Sequence, residues 1–231
     1  MDKYRNELKY LISENEMRII VNELGTFLSV DENAVEGRYT ISSLYFDSID
    51  DDAFYDVDDG IDLKTKYRIR IYDGSDQIIR LERKNKINKM TSKRSCILKK
   101  DDANTLIRGL YPRDISMQDV VLKELTYHIM ADGFKPVIIV EYERIPYIYK
   151  IGNVRITLDM NISSSDDISH FLKGTKRKRP ILPVGKYLLE VKFDEYLPEH
   201  IFNCLNDLNL QQISFSKYYL CRKYNFNGVL L

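Results

Sequence analysis

KTKYRIRIY, residues 64–72, decides how the rest of the chain is read. As a β-strand it sets Tyr67, Ile69 and Ile71 on one face and Lys66, Arg68 and Arg70 on the other. A half-exposed strand ordinarily mixes charge signs on its polar face, whereas this one presents only cations. Like charges on neighbouring strands repel, so a row of them calls for an anion.

Working outward, eight segments alternate like strands: 4–12, 38–47, 65–72, 77–87, 90–98, 136–144, 153–160 and 186–193. Ser13 with Glu16 reads as a capping box. It opens a helix through about residue 28, with Met17, Ile20, Val21, Leu24 and Leu28 at helical spacing. Further helices are expected over 118–131, 163–171 and 198–208, and in SKYYLCRKY from Ser216. Asp73-Gly74 and the short gap at Asn88 predict two tight hairpins joining the third, fourth and fifth strands. Antiparallel strands with helices set between them point to α+β or a closed barrel. No Pro/Gly-rich linker interrupts residues 1–231, which we read as one domain. The acidic stretch from Asp47 to Asp62 reads as a solvated loop with a short helix.

The polar faces favour one sign along the chain. They hold Arg5, Glu7 and Lys9; Lys66, Arg68 and Arg70; Arg80, Glu82, Lys84 and Lys86; Lys93 and Ser95; Tyr142 and Arg144; Arg155, Thr157 and Asp159; Glu190 and Lys192. That is twelve basic against four acidic residues in a chain whose 35 basic and 35 acidic residues otherwise cancel. An exposed face of basic residues is the plainer explanation. The alternative is convergence on an anion inside a barrel of about eight strands, a size that side chains fill or that holds one ligand. Arg and Lys there would suit a chain of phosphates, since guanidinium forks bind phosphate oxygens two at a time.

Bulk properties exclude other classes. The neutral formal charge points to neither nucleic acid nor an anionic membrane surface. Cysteines 96, 204 and 221 are odd in number and lack metal-like spacing. With no signal peptide and no long apolar run, a cytoplasmic, membrane-free location is expected. His128, His170 and His200 fall in expected helices, away from the cationic faces. The run KRKR (176–179) reads as a solvated loop, with guidance of an emerging polyanion as its alternative role.

Nine pieces in order then carry a resemblance. They are ELKYLI (7–12), SSLYFDS (42–48), KYRIR (66–70), LERKNK (81–86), SKR (92–94), EYERIPY (141–147), VRITLD (154–159), LLEVKF (188–193) and FSKY (215–218). The chain resembles the VTC domain, the catalytic module of the vacuolar transporter chaperone complex, within the triphosphate tunnel metalloenzyme (CYTH-like) superfamily. The resemblance implies an α+β fold: an eight-stranded antiparallel β-barrel, the triphosphate tunnel, with helices packed outside. It implies transfer of the ATP γ-phosphate onto polyphosphate with a divalent metal, Mn²⁺ or Mg²⁺.

By motif position it assigns phosphate-binding roles to Lys9, Arg68, Arg70, Lys84, Lys93, Arg144, Arg155 and Lys217. Tyr142 and Ser216 add hydroxyl donors, Glu7 and Lys192 join the phosphate and nucleotide set, and Glu190 takes the metal. Hydrolase members carry two alternating glutamates before the lysine of the first strand; here the first is Arg5. Losing that carboxylate favours transfer over hydrolysis. A tripolyphosphatase or nucleoside triphosphatase and a non-catalytic polyphosphate sensor stay open. ATP and polyphosphate are the expected partners, with no nucleic acid. The expected protein is either a free polymerase or the soluble half of a pair with a membrane protein.

Overall fold

The protein is described from a computed structural model covering residues 4–87, 90–114, 119–174 and 177–227. Asp73 (φ 50°) and Gly74 (φ 66°) both lie in the left-handed region. A two-residue hairpin turn between right-twisting strands needs that geometry at both positions. The turn joins β4 (Leu63–Tyr72) to β5 (Ser75–Ile87), after β1 (Arg5–Ser13), β2 (Ser29–Val30) and β3 (Tyr39–Asp47). There follow β6 (Met90–Leu98), β7 (Lys135–Tyr149), β8 (Val154–Ser165), β9 (Arg179–Pro180) and β10 (Lys186–Phe193). The tip of the second expected hairpin, at Asn88, lies outside the described residues, but β5 and β6 pair antiparallel up to Ile87 and Met90.

Eight of these strands close on themselves in the order β7-β3-β4-β5-β6-β1-β10-β8, with β8 returning to β7. All their pairings are antiparallel. The eight expected strands are the eight of this ring. Two-residue β2 and β9 add short edges on β7 and β8. Strands β7 and β8 run past their expected ends to Tyr149 and Ser165.

The alternation in KTKYRIRIY sets inside against outside. Tyr67, Ile69 and Ile71 are at most 2% exposed and pack with Ala103 and Leu106 of α3 (Lys100–Ile107) and Val121, Leu122 and Leu125 of α4 (Val120–Ala131). On the opposite wall, Tyr10 and Ile12 of β1 pack under α1 (Glu14–Leu24) and α5 (Glu199–Asp207). The Ser13–Glu16 capping box opening α1 is present in full. On these two walls helices cover the apolar side of the sheet, and the charged side faces the lumen. A third cluster joins α2 (Asp52–Asp58) and α6 (Lys217–Asn227) to β3 and β7 through Phe54, Tyr218, Cys221, Tyr45 and Ile138.

Asp47 departs from the solvated stretch expected around it. It is fully buried and accepts from the Ser48 and Ala53 amides (3.0 and 2.8 Å) and from the Tyr218 hydroxyl, which ties α2 and α6 to the end of β3. No described helix is long and apolar enough to cross a membrane.

Candidate functional site

Inside the ring lies a cavity of about 140 Å³. Ten cationic side chains line it: Lys9, Lys64, Lys66, Arg68, Arg70, Lys84, Lys86, Arg144, Lys192 and Lys217. Glu7, Glu190, Tyr45, Val57, Tyr142, Tyr218 and the Ser214–Ser216 segment complete the wall. Each cation is fixed by strand register, because directly opposed residues share a face: Lys9 faces Glu190, Glu7 faces Lys192, Arg144 faces Asp159 and Arg68 faces Glu82. Lys217 enters from the first residue of α6.

Four buried carboxylates organise the cations. Glu82, with no exposed surface, accepts from Arg68 Nε and Nη2 (2.8 and 2.7 Å) and from Lys93 Nζ (2.9 Å), with Arg70 Nη1 at 3.6 Å. Asp159 takes Arg144 through a two-bond fork (2.6 and 2.8 Å) and Lys217 at 2.6 Å. Glu190 takes Lys217 at 2.7 Å, Lys192 at 3.3 Å, Arg144 at 3.4 Å and Lys9 at 3.7 Å. Glu7 takes Lys84 at 3.1 Å, Lys192 at 3.2 Å and Lys9 at 3.9 Å. Hydroxyls fill the remaining geometry: Tyr45 accepts from Arg68 (2.8 Å), Ser43 and Tyr142 from Arg70 (3.2 and 3.4 Å), and Ser216 from Lys66 (3.1 Å).

Burial alone would neutralise Glu7, Glu82 and Glu190, yet the neighbouring lysines and arginines hold all three well below the usual carboxylate range. Burial likewise pushes Lys66 and Lys84 down, and crowding by Lys9 and other lysines takes both to about 7. For Lys84 the attraction of Glu7 opposes this shift without cancelling it. Lys217 moves the other way: Asp159 and Glu190 outweigh its burial and hold it above the ordinary lysine range. Tyr142 is drawn below its ordinary value, because Arg144, Arg70 and Lys217 outweigh its burial. The lumen is therefore rich in charged donors and short of acceptors, the arrangement that takes up a polyanion.

Of the thirteen residues that the resemblance assigns, eleven line this cavity. Lys93 and Arg155 do not. Lys93 reaches the lumenal network through Glu82 with its side chain half exposed. Arg155 lies opposite Lys192 on the lumenal face, but its guanidinium binds Asp31 (2.8 Å) and the Tyr39 hydroxyl (3.0 Å) beyond the cavity. Arg5, standing where hydrolases have a glutamate, turns to Asp194 (2.9 Å). Sequence reasoning left out Lys64, and it set Lys66, Glu82, Lys86 and Asp159 on the polar faces without including them in the assigned site. The period-two pattern already held the signal, since Lys64 continues the Lys66–Arg68–Arg70 row.

The three histidines sit in helical segments away from the cavity. His128 contacts Asp132, His170 contacts Asp167, and His200 meets the Phe27 ring at a tilt and the Tyr149 ring edge-on. In the KRKR run, Lys176 lies outside the described residues, Lys178 pairs with Glu141, and Arg179 pairs with Asp166 at 2.7 Å. The cysteines are free thiols, two of them buried.

A closed antiparallel ring with cations inside and helices outside defines a tunnel fold of the triphosphate-tunnel, CYTH-like type. In sequence the chain matches the VTC domain over residues 4–226, and it belongs to that family. No curated protein matches it in sequence. Among solved structures, a candidate adenylate cyclase from Bacillus halodurans superposes with a TM-score of 0.56 at 14% identity, covering 93% of this chain and 95% of that one. A candidate adenylyl cyclase from Hippeastrum with a dominant triphosphatase activity gives 0.55 at 15%, covering 100% and 98%. A candidate adenylate cyclase from Vibrio parahaemolyticus gives 0.50 at 11%, covering 96% and 99%. At such identities these likenesses establish the fold.

Proposed function

We propose that this chain, acting as one domain, is an ATP-dependent polyphosphate polymerase that moves the γ-phosphoryl group of ATP onto the end of a polyphosphate chain in the lumen. Family and fold support an enzyme acting on phosphates. The observation that carries the finer step is the cavity of ten cations threaded by buried carboxylates. Phosphoryl transfer demands positioning and charge neutralisation far more than covalent help. The attacking terminal phosphate is already an anion, so the three distant histidines are not needed as bases.

In this reading Arg68 and Arg70 clamp one part of the chain, Arg144 and Lys217 another, and Lys9, Lys84 and Lys192 the rest. Glu82 and Asp159 hold the arginines in place. The hydroxyls of Tyr142 and Ser216 add donors. Lys93 and Arg155 serve from the rim.

Among the described residues no cluster of three or more potential metal ligands occurs. Two carboxylates nevertheless converge: Glu7 and Glu190 share the ammonium groups of Lys9 and Lys192. The Thr157 hydroxyl, opposite Glu190 in register, is buried without a hydrogen-bond partner. Mg²⁺ held by substrate phosphates characteristically takes one or two protein carboxylates and keeps waters, so this donor set fits. Glu190, with Glu7, would hold Mn²⁺ or Mg²⁺, which supplies charge neutralisation on the transferring phosphoryl group.

Hydrolysis of triphosphates is the second reading, and the Hippeastrum protein's activity keeps it in view. Arg5 favours transfer, since the cation replaces a carboxylate that would help hold metal and water and then pairs away from the cavity. Incubation with ATP and Mn²⁺ or Mg²⁺, scoring polymer and free phosphate together, separates them. ADP matched by polymer is the expected result. ADP matched by orthophosphate without polymer makes the protein a hydrolase, and no turnover with either metal favours the sensor.

A further inference from the structure

The ten lumenal cations fall into two groups. Arg68, Arg70, Lys84, Arg144, Lys192, Lys217 and Lys9 each lie within 4 Å of a buried carboxylate. Lys64, Lys66 and Lys86 line the same cavity, yet none has an ion pair within that distance among the described residues. Lys66 has only the Ser216 hydroxyl at 3.1 Å and the Tyr218 ring at 4.8 Å. Asp56 on α2 and the buried Asp47 act on Lys66 from farther away, and Asp56 also acts on Lys64.

Register sharpens the contrast. Lys64 stands directly opposite Lys86, and Lys66 directly opposite Lys84. Like charges directly opposed on a sheet destabilise it. Solvated strand ends would let such side chains splay outward, but all three line the cavity where β4 and β5 meet Val57 of α2. The inner cations have partners that set their geometry in the absence of ligand. The outer three are left for an anion.

We propose that Lys64, Lys66 and Lys86 form a separate subsite for the continuing chain of a condensed phosphate longer than triphosphate. This rests on the phosphate-chain function given above and adds to it a preference for length. A triphosphate is held by the compensated inner cations. Each further phosphate of a longer chain brings about one negative charge to the lysines at the mouth.

The test compares tripolyphosphate with a polyphosphate of several tens of phosphates, titrated into wild-type protein and the double variant Lys64→Gln/Lys86→Gln at fixed ionic strength. The expected result is a loss of about tenfold or more for the long chain and a change within about twofold for tripolyphosphate. The dependence of log K on log salt for the long chain should become shallower by about two, one for each lysine–phosphate contact removed. Equal losses for both ligands, or no loss for the long chain, overturn the subsite. If the variant does not fold, wild-type protein decides alone: the long chain must show the steeper salt dependence, and equal slopes overturn the proposal. Wild-type protein that binds neither phosphate refutes the phosphate-chain function and the subsite with it. Tight tripolyphosphate binding with equal slopes refutes the subsite only.

Discussion

Replacing Glu82 by Gln removes one negative charge from the middle of the cationic network while preserving shape. Glu82 has no exposed surface, and its carboxylate is the ion-pair partner of Arg68, Arg70 and Lys93. Their side chains are 14%, 8% and 49% exposed, so Lys93 can retreat to water while the two arginines cannot. Breaking a buried pair from one side costs about 3–5 kcal/mol, because the other charge stays buried and unpaired. With Lys93 relieved by solvent, the lower end, about 3 kcal/mol, applies. For a domain of this size that lowers Tm by roughly 6–12 °C. Thermal unfolding of Glu82→Gln beside Glu124→Gln is the assay. Glu124 pairs with Arg83 at 2.6 Å in a partly exposed position, where a pair contributes under about 1 kcal/mol. Tripolyphosphate should restore most of the loss in Glu82→Gln by placing anionic oxygen between the same arginines. A Tm within about 2 °C of wild type, or equal losses in the two variants, would refute the assignment of Glu82 as the charge that holds the arginine pair.

Two further outcomes follow from the same geometry. Glu190→Gln should abolish turnover with the fold intact, because Glu190 combines a metal-competent carboxylate with contacts to four cations; retention of more than about a tenth of the wild-type rate, about 1.4 kcal/mol of barrier, would remove it from the essential set. For pH, Lys66 and Lys84 titrate near 7 in the folded protein against 10.5 unfolded, so between those values the unfolded chain binds more protons and stability rises with pH. The penalty is fully present below about 7 and relieved toward 10.5; tripolyphosphate affinity should fall across that window as the Lys84 ammonium is lost, and that of a longer polyphosphate should fall further as Lys66 loses its own. Melting and calorimetric titration of wild type and Lys66→Gln/Lys84→Gln check both signs; a wild-type pH dependence identical to the variant's would exclude these lysines as its source.

The strands of the ring were legible because burial on one side and charge on the other print a period of two into the sequence. Most ring strands show it, β3 being the exception with no lysine or arginine and burial along nearly its whole length, and strand register then carries most of the assigned residues to one cavity. Other features left weaker marks. α3 is eight residues long and buries only Ala103 and Leu106, too little for a helical stripe to stand out. Pro146 cannot donate to a ladder, so a strand read from sequence stops before it; in the structure β7 continues, with Pro146 opposite Thr157. The orientation of Arg155 was beyond reach because Asp31 and Tyr39 lie 124 and 116 residues away in sequence, and only the closed ring brings them to it. The division of the cations into paired and unpaired groups was equally hidden, since alternation shows that a lysine faces the lumen but not which carboxylate meets it.

In the proposed function the cations of KTKYRIRIY and its neighbouring strands form a confined site for condensed phosphate, and melting the ligand-free protein against tripolyphosphate, sulfate and chloride at matched ionic strength puts that site to the test. At about 100 times Kd the linkage stabilisation is about 2.7 kcal/mol, a rise in Tm of roughly 5–11 °C. Tripolyphosphate should give that rise, sulfate much less and chloride none, and Arg68→Ala or Arg70→Ala should remove much of the tripolyphosphate effect. Equal shifts for the three anions, as screening of an exposed charged face would produce, would contradict the lumenal site.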